Sequence, residues 1–470
     1  MIENFGHQGR ADLLENLTWY TIPLHFTQTS PPVVFDDLVI VGNGVWDRFV
    51  YRGDPPGVMQ AFDVRTGELV WAFDLIPQAG DFGNETWEDG AWRRWGHTNV
   101  WAPFSLDADR GIVYLPVGTA SSDYYGGHRK GDNLFAETVL ALNARTGERV
   151  WHFQAVHHGL WDWDLPSPPT LLTVQPDGQE RDIVAAPSKQ GFVYVFDRET
   201  GEPIWPIEER PVPASDIPGE RASPTQPFPT KPAPFANQGF SEKDLIDLTP
   251  ELRQMAEEAV EGYRMGEIFT PPSTQGTLIR PGISGGANWG GAAADPETGV
   301  LYVKSSESTS LLKLVESDPA QSEARFQVDR SMRSIALENG LPITNPPYGT
   351  LTAIDLNTGE HLWQVPVGDM PNVRYHPALR GVDLPERLGV RGPGGPIVTG
   401  GGLVFVSGGS MQLHALDKES GEEIWAGDLG NRGEGNPMTY MTPDGRQHVV
   451  IAVGSGENAK LVAFALPTGE

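Results

Sequence analysis

The 470-residue sequence contains no cysteine. That excludes disulfides, thiolate metal sites and a c-type haem attached through C-x-x-C-H. Any redox chemistry the chain performs therefore hands its electrons to a separate carrier. Basic residues are also scarce, 34 against 62 acidic ones, for a net charge of −28. Such a surface repels nucleic acid and anionic membranes and keeps the chain dispersed. No run of about 18 apolar residues marks a membrane span. The opening stretch MIENFGHQGRADLLENLTWY has neither the basic nor the apolar part of an export signal. From these residues the expectation is a soluble chain with no signal peptide of its own.

Glycine and proline are abundant, at 55 and 41 residues, and they punctuate a repeat. AFDVRTGELVW (61–71), ALNARTGERVW (141–151), VFDRETGEPIW (195–205), AIDLNTGEHLW (353–363) and ALDKESGEEIW (415–425) share one form, and AFALPTGE closes the chain. In each full copy an apolar strand runs into Asp or Asn, a Thr/Ser-Gly turn reverses it, and a short strand ends in Trp. Glycine supplies the turn conformation, and the flanking alternation is that of half-buried strands. Another apolar strand pair precedes each hairpin, as in WAPFSLDADRGIVYLPVG and GGPIVTGGGLVFVSG. Four strands per unit, recurring six times, predict an all-β propeller of four-stranded blades with a docking Trp between neighbours. Residues 11–19 read as the last strand of a further blade, and the final unit lacks its Trp strand, so the ring reads as incomplete.

Two stretches stand outside the repeat. Residues 206–287 form a Pro-rich insertion, expected to be a lid over one end of the channel. It carries a helix at about 249–264, with Thr249 as cap and Pro250 at the first position. The other stretch is HHGLWDWDLP, His157 to Pro166, with two His, two Trp and two Asp in ten residues. Carboxylates packed this closely among aromatics need partners if they are buried.

With the Trp-ended repeat, this loop, and the motifs VIVGNGVWD, NVWAPFSLD, SKQGFVYVFDRETG, SPTQPFPTKP, IFTPPSTQGTL, GGANWGGAAADP and NPMTY, the chain resembles the pyrroloquinoline quinone (PQQ)-dependent dehydrogenases. Within them it is similar to the branch of membrane-type glucose and quinate or shikimate dehydrogenases. The resemblance covers nearly all of residues 20–469. It implies an eight-bladed ring of which this chain holds about the last six, and a periplasmic setting. It implies hydride removal from an alcohol, polyol, sugar or cyclitol by the quinone, with a base for the hydroxyl proton and a metal on the quinone oxygen. It also implies a separate cytochrome or quinone as electron acceptor, and possible completion of the ring by another chain.

Residue by residue, the resemblance makes Asp162 the catalytic base beside the metal. Asp47, Thr119, Asp162 and Asp164 become the candidate ligands of a calcium ion, Thr119 standing near where alcohol-oxidising relatives use Asn. The additional carboxylate of Asp164 accompanies a lanthanide in some branches and divalent ions in the sugar-oxidising one; calcium is the expected ion. Trp101 is the indole floor under the quinone, and Lys189 the cation at its oxygens. Thr29 or Ser30 and Asn288 are further cofactor partners. His157 and His158 either shape the substrate pocket or pack the loop. Pro393 stands where some relatives place Trp. The competing reading is a non-catalytic PQQ-like repeat propeller that scaffolds protein assembly. It explains the repeats and the charge, but not the WDWD loop, Lys189 and the long insertion together.

Overall fold

The turn of each repeat is closed by its own Asp or Asn. Asn143 Oδ1 accepts from the backbone N–H of Arg145 (2.9 Å) and Thr146 (3.1 Å), and Asp197 Oδ1 accepts from Glu199 (3.0 Å) and Thr200 (2.9 Å). The following Gly147 and Gly201 both have φ of +74°, a conformation that costs other L-residues about 1 kcal/mol. The turn glycine has a second duty, because the Trp of the preceding repeat lies against it. A Cβ on Gly147 would stand 2.6 Å from the Trp71 ring, and one on Gly201 2.5 Å from that of Trp151.

In the computed structural model, which describes residues 5–18, 22–45, 55–329 and 335–466, these hairpins assemble into six antiparallel sheets. They lie at 33–74, 105–154, 170–197, 292–366, 397–428 and 438–465. The first, second, fourth and fifth have four strands, and the third and sixth have three. The innermost strands Val33–Phe35, Ser105–Asp107, Thr170–Val174, Ala292–Asp295 and Ile397–Val398 touch one another in succession. The chain thus winds as a β-propeller, each sheet being one blade.

The core lies as slabs between blades. Leu38, Ile40 and Ala61 of the first blade meet Val113, Leu115 and Leu140 of the second, and Ile183 and Val195 of the third meet Leu301 and Ile354 of the fourth. The Trp docks stitch these slabs at the rim. Trp71 Nε1 donates to Ala144 O (3.1 Å), Trp151 Nε1 to Arg198 O (3.0 Å) and Trp363 Nε1 to Lys418 O (3.3 Å). Trp71 and Trp151 bury their rings, Trp363 does so in part, and each satisfies its one donor on the next blade. Trp425 packs edge-on to Phe464 at 5.1 Å but stays 40% exposed. Trp19 lies outside the described residues.

Within 206–287, Ile207–Pro211 pairs with Thr225–Pro229, and a helix, α1, spans Pro250–Val260. Thr249 Oγ1 accepts from Leu252 N at 3.2 Å, and Pro250 opens the first turn. Leu252, Ala256 and Val260 of α1 join a core with Leu245, Leu341, Tyr348 and Leu388. That core is shared with a second insertion, between strands Val300–Ser306 and Gly349–Asp355 of the fourth blade. Among the described residues no helix is long and apolar enough to cross a membrane.

Candidate functional site

The stretch 157–166 leaves the outermost strand of the second blade, Arg149–Gln154, and leads to the innermost strand of the third, Thr170–Val174. It therefore travels from rim to axis. Along it, side chains alternate in direction. Trp161 and Trp163 stack on each other at 5.4 Å with an 18° interplanar angle, and both lie nearly perpendicular to the Phe269 ring at 5.3 Å. Trp161 Nε1 donates to Thr270 O at 2.9 Å. With both indoles sunk in the core, Asp162 and Asp164 share the other side. Asp162 holds a φ of +60°, a left-handed backbone for a non-glycine residue pinned between two buried rings.

One ammonium meets both carboxylates. Lys189 Nζ lies 2.7 Å from Asp162 Oδ1 and 2.8 Å from Asp164 Oδ2. Tyr124 OH donates to Asp162 Oδ2 at 3.0 Å. Asp164 Oδ1 accepts from the Thr119 amide (2.6 Å) and hydroxyl (2.8 Å), while its Oδ2 also accepts from Trp101 Nε1 at 3.2 Å. Burial alone would push the Asp164 carboxyl up; Lys189 and the two Thr119 donors overcome it and hold the group below the carboxylate range. Burial would likewise lower Lys189, and the two carboxylates raise it above its ordinary value instead. An ammonium has three donors, and two are spent here. The Lys189 ammonium lies 6.0 Å from the centre of the Trp101 ring.

Behind this cluster sits a third carboxyl. Glu137 is fully buried, its Oε1 accepts from Thr119 Oγ1 at 3.2 Å, and its Oε2 has no hydrogen-bond partner. Burial first, and the Asp164 charge second, push its pKa up to about 8. Beyond it, His97 is buried with both ring nitrogens unpartnered, and burial lowers its pKa to about 3. Asn99 Oδ1 and Thr98 Oγ1 are buried and unpartnered as well. This density of unsatisfied polar atoms beside one charge cluster is unusual for a purely structural core.

The structure thus brings Trp101, Thr119, Asp162, Asp164 and Lys189 together. Thr29 and Ser30 act one step back: both hydroxyls donate to the Trp101 carbonyl, Thr29 at 2.8 Å, and so fix the indole's backbone. Asn288 lines a cleft instead, with Nδ2 donating to Ser284 O (2.8 Å) and Oδ1 accepting from Trp289 N (2.8 Å). Asp47 lies outside the described residues. His157 Nε2 reaches Glu209 at 3.0 Å, and His158 Nε2 is bonded to Glu220 of the insertion at 2.7 Å, both of the latter buried. Sequence reasoning missed Tyr124 and Glu137. Tyr124 belongs to the dense run DYYGGHR, which was a usable signal; Glu137 stands just before the apolar strand Thr138–Asn143 and carries none.

A flat polar ligand fits this arrangement, with an indole face, a partly spent ammonium and orphaned polar atoms around it. A metal ion fits less well. All four oxygens of Asp162 and Asp164 already hold protein donors, and among the described residues no group of three or more His, Asp or Glu side chains is arranged as a metal cage.

Comparison with known proteins bears on the same residues. Residues 1–449 match the family described as PQQ: glucose/ethanol/alcohol dehydrogenase, beta-propeller domain. The chain is 34% identical to quinate/shikimate dehydrogenase (quinone) of Acinetobacter baylyi, over 99% of this chain and 60% of that protein. It is 35% identical to the quinoprotein glucose dehydrogenase of Escherichia coli, over 99% and 61%. It therefore spans about three fifths of the length of these curated relatives. Among solved structures it is similar to a quinohemoprotein alcohol dehydrogenase from Pseudomonas putida HK5, with a TM-score of 0.63 at 23% identity, covering 92% of this chain and 56% of that one. It is also similar to a europium-containing methanol dehydrogenase, with a TM-score of 0.64 at 24% identity, covering 91% and 66%. At such identities the structural likeness shows the propeller fold.

Proposed function

This chain belongs to the glucose/ethanol/alcohol dehydrogenase β-propeller family of PQQ proteins, and we propose that it takes part in PQQ-dependent oxidation of an alcohol, polyol, sugar or cyclitol, with Asp162 as the base. The observation that carries this reading is the Lys189 ammonium within 2.8 Å of both Asp162 and Asp164, beside the Trp101 indole. When bound, the quinone supplies the acceptor for two electrons and the hydrogen of the alcohol carbon.

The chain's own residues supply the rest. Trp101, anchored through its carbonyl by Thr29 and Ser30, gives a rigid aromatic floor. Lys189 keeps one N–H for a ligand oxygen while its other two hold the carboxylates in place. Asp162 takes the proton of the substrate hydroxyl, and the Tyr124 hydroxyl at its Oδ2 fixes which oxygen is aimed at substrate. Asp164, more deeply held by Thr119 and Trp101, orients Lys189 and stays ionised. A calcium ion, or a lanthanide, at Asp47, Thr119, Asp162 and Asp164 is the family-derived expectation. The described carboxylate oxygens already accept hydrogen bonds, so such an ion would share them through their remaining lone pairs, and no step is assigned to it. Electrons leave to a separate cytochrome or quinone, in keeping with the absence of cysteine.

The test is saturable binding of PQQ followed by dye reduction with polyols. Asp162→Asn should keep PQQ affinity within a few-fold and lower turnover by about 10²–10⁴. A wild-type chain that shows no saturable PQQ binding would falsify the reading.

A further inference from the structure

The fifth blade carries a second line of polar side chains, none of which takes part in the Lys189 cluster. Strand Leu403–Val406 turns through Ser-Gly-Gly-Ser-Met, residues 407–411, into strand Gln412–Asp417. The turn sets Ser410 beside His414 of the second strand, with Oγ and Nε2 3.0 Å apart. On the other side of the ring, His414 Nδ1 lies 2.8 Å from Oε2 of Glu423, on the next strand, Glu423–Asp428. Arg387 holds the other oxygen of Glu423 at 3.2 Å. A hydroxyl, an imidazole and a carboxylate thus stand in the order in which nucleophile, base and orienting acid act in acyl transfer.

The hydrogen bonds fix their own directions. A carboxylate only accepts, so Nδ1 carries the imidazole proton. Burial, helped by the Arg387 and Lys304 charges, holds His414 below its ordinary pKa against the pull of Glu423, which leaves Nε2 as an acceptor. Ser410 Oγ accepts from the Gln412 amide at 3.1 Å, so its own proton is the one that meets Nε2. The Ser410 backbone is held at both ends, N donating to Ser407 O (3.0 Å) and O accepting from Gly433 N (2.9 Å). Three observations set this line apart from a purely structural one. Ser410 is 4% exposed, but Met411 and Gln412 next to it are exposed, so the hydroxyl lies one residue beneath the surface. The residue facing Ser410 from the segment after the fourth blade is Gly368, where a Cβ would stand 3.2 Å from Oγ; glycine keeps that approach free of a side chain. The amides of Gly408 and Gly409, just before Ser410, bond to no acceptor among the described residues, and unspent amides beside a nucleophile are the donors an acyl oxyanion needs.

We propose that Ser410, His414 and Glu423 form a second catalytic centre, which hydrolyses short-chain esters independently of the quinone chemistry. His414 Nε2 takes the Ser410 proton as Oγ bonds to the acyl carbon; the ester C–O bond breaks, and the alcohol leaves with that proton. Water then gives a proton to His414 as its oxygen bonds to the acyl carbon; the Oγ–C bond breaks, Ser410 regains its proton and the carboxylic acid departs. Nothing is oxidised or reduced, and water is the only co-reactant. Glu423, kept ionised by Arg387, orients the ring and stabilises the imidazolium formed in both halves. The narrow approach beside Gly368 suits an acetyl-sized acyl group rather than a long one.

The experiment treats the full chain, with no PQQ present, with a fluorophosphonate probe and separately with p-nitrophenyl acetate, and locates the modified peptide by mass spectrometry. Without PQQ the outcome does not depend on the function proposed above. Phosphonylation at Ser410 and catalytic release of p-nitrophenol are expected. The octanoyl ester should turn over about tenfold more slowly or worse; equal turnover of the two esters overturns the short-chain assignment. His414→Gln should lower both labelling and turnover by about 10²–10⁴. Ser410 unmodified in the folded wild type overturns the proposal, as does equal labelling in His414→Gln, labelling with no ester turnover, or turnover that survives in Ser410→Ala. Should His414→Gln fail to fold by circular dichroism, Glu423→Gln and Gly368→Ala decide. The first removes the orienting charge and the second sets a methyl against Oγ. Each is expected to slow labelling about tenfold or more, and unchanged labelling in either overturns the proposal.

Discussion

Lys189 is nearly enclosed, and it is the common counter-charge of Asp162 and Asp164. Removing it leaves two carboxylates facing each other in a buried site, which is far worse than losing the attraction itself. Lys189→Met is therefore expected to lower stability by about 3–5 kcal/mol, measured by denaturant unfolding. Lys189→Met/Asp164→Asn, with one of the two charges also gone, should recover part of it; a double variant no more stable than the single one would contradict the shared-charge account. At this scale legibility was uneven. Asp162 and Asp164 stood out because acids between tryptophans are costly without partners, and the resemblance supplied Lys189. Glu137 did not stand out: a single acid at the head of an apolar strand looks like any strand terminus until its neighbours are known.

Among elements, the Trp-ended hairpins carry the blade contacts unequally. Trp151 is 6% exposed and donates to Arg198 O, whereas Trp425 is 40% exposed. Trp151→Ala should cost about 3–5 kcal/mol, and Trp425→Ala under about 1 kcal/mol, although the two positions are equivalent in the repeat. Equal losses would mean that the dock contributes nothing beyond local packing. The repeat was readable because one turn chemistry recurs, with Asp or Asn bonding two amides and Gly left-handed beneath a neighbour's indole. The second insertion, in the fourth blade, was not readable, since it has no turn signature and draws its core from α1 and from residues far along the chain. The 206–287 insertion is tied to the site loop through His158 and Glu220. Burial would raise the Glu220 carboxyl, but His158 and the Gly126 amide hold it down at about 2. A carboxylate depressed in the fold contributes stability that is present above its unfolded pKa, near 4.5, and is lost as pH falls from there toward 2; the amount is of order 3 kcal/mol. Proteolysis within residues 212–230 should accelerate over that acid window in wild type. In Glu220→Gln it should be fast already at neutral pH and lose the acid dependence.

For the whole molecule, two features oppose each other. The net charge of −28 drives copies apart. The sixth sheet pulls the other way. Its strand Met438–Met441 is exposed along its entire length, and Leu461 and Leu466 are 74% and 84% exposed. An apolar strand with free edge amides pairs readily with another edge. Which effect wins depends on ionic strength, because repulsion between surface charges is screened over about 10 Å at 0.1 M salt while apolar contact is not. Sedimentation velocity should therefore show dispersed chains at about 0.01 M salt and reversible association as salt is raised toward 1 M. Met441→Lys/Leu461→Lys should remove the association at every salt concentration without lowering the melting temperature, since neither side chain is buried. Association that weakens with salt would mean that charged groups, and not the exposed strand, bring the copies together.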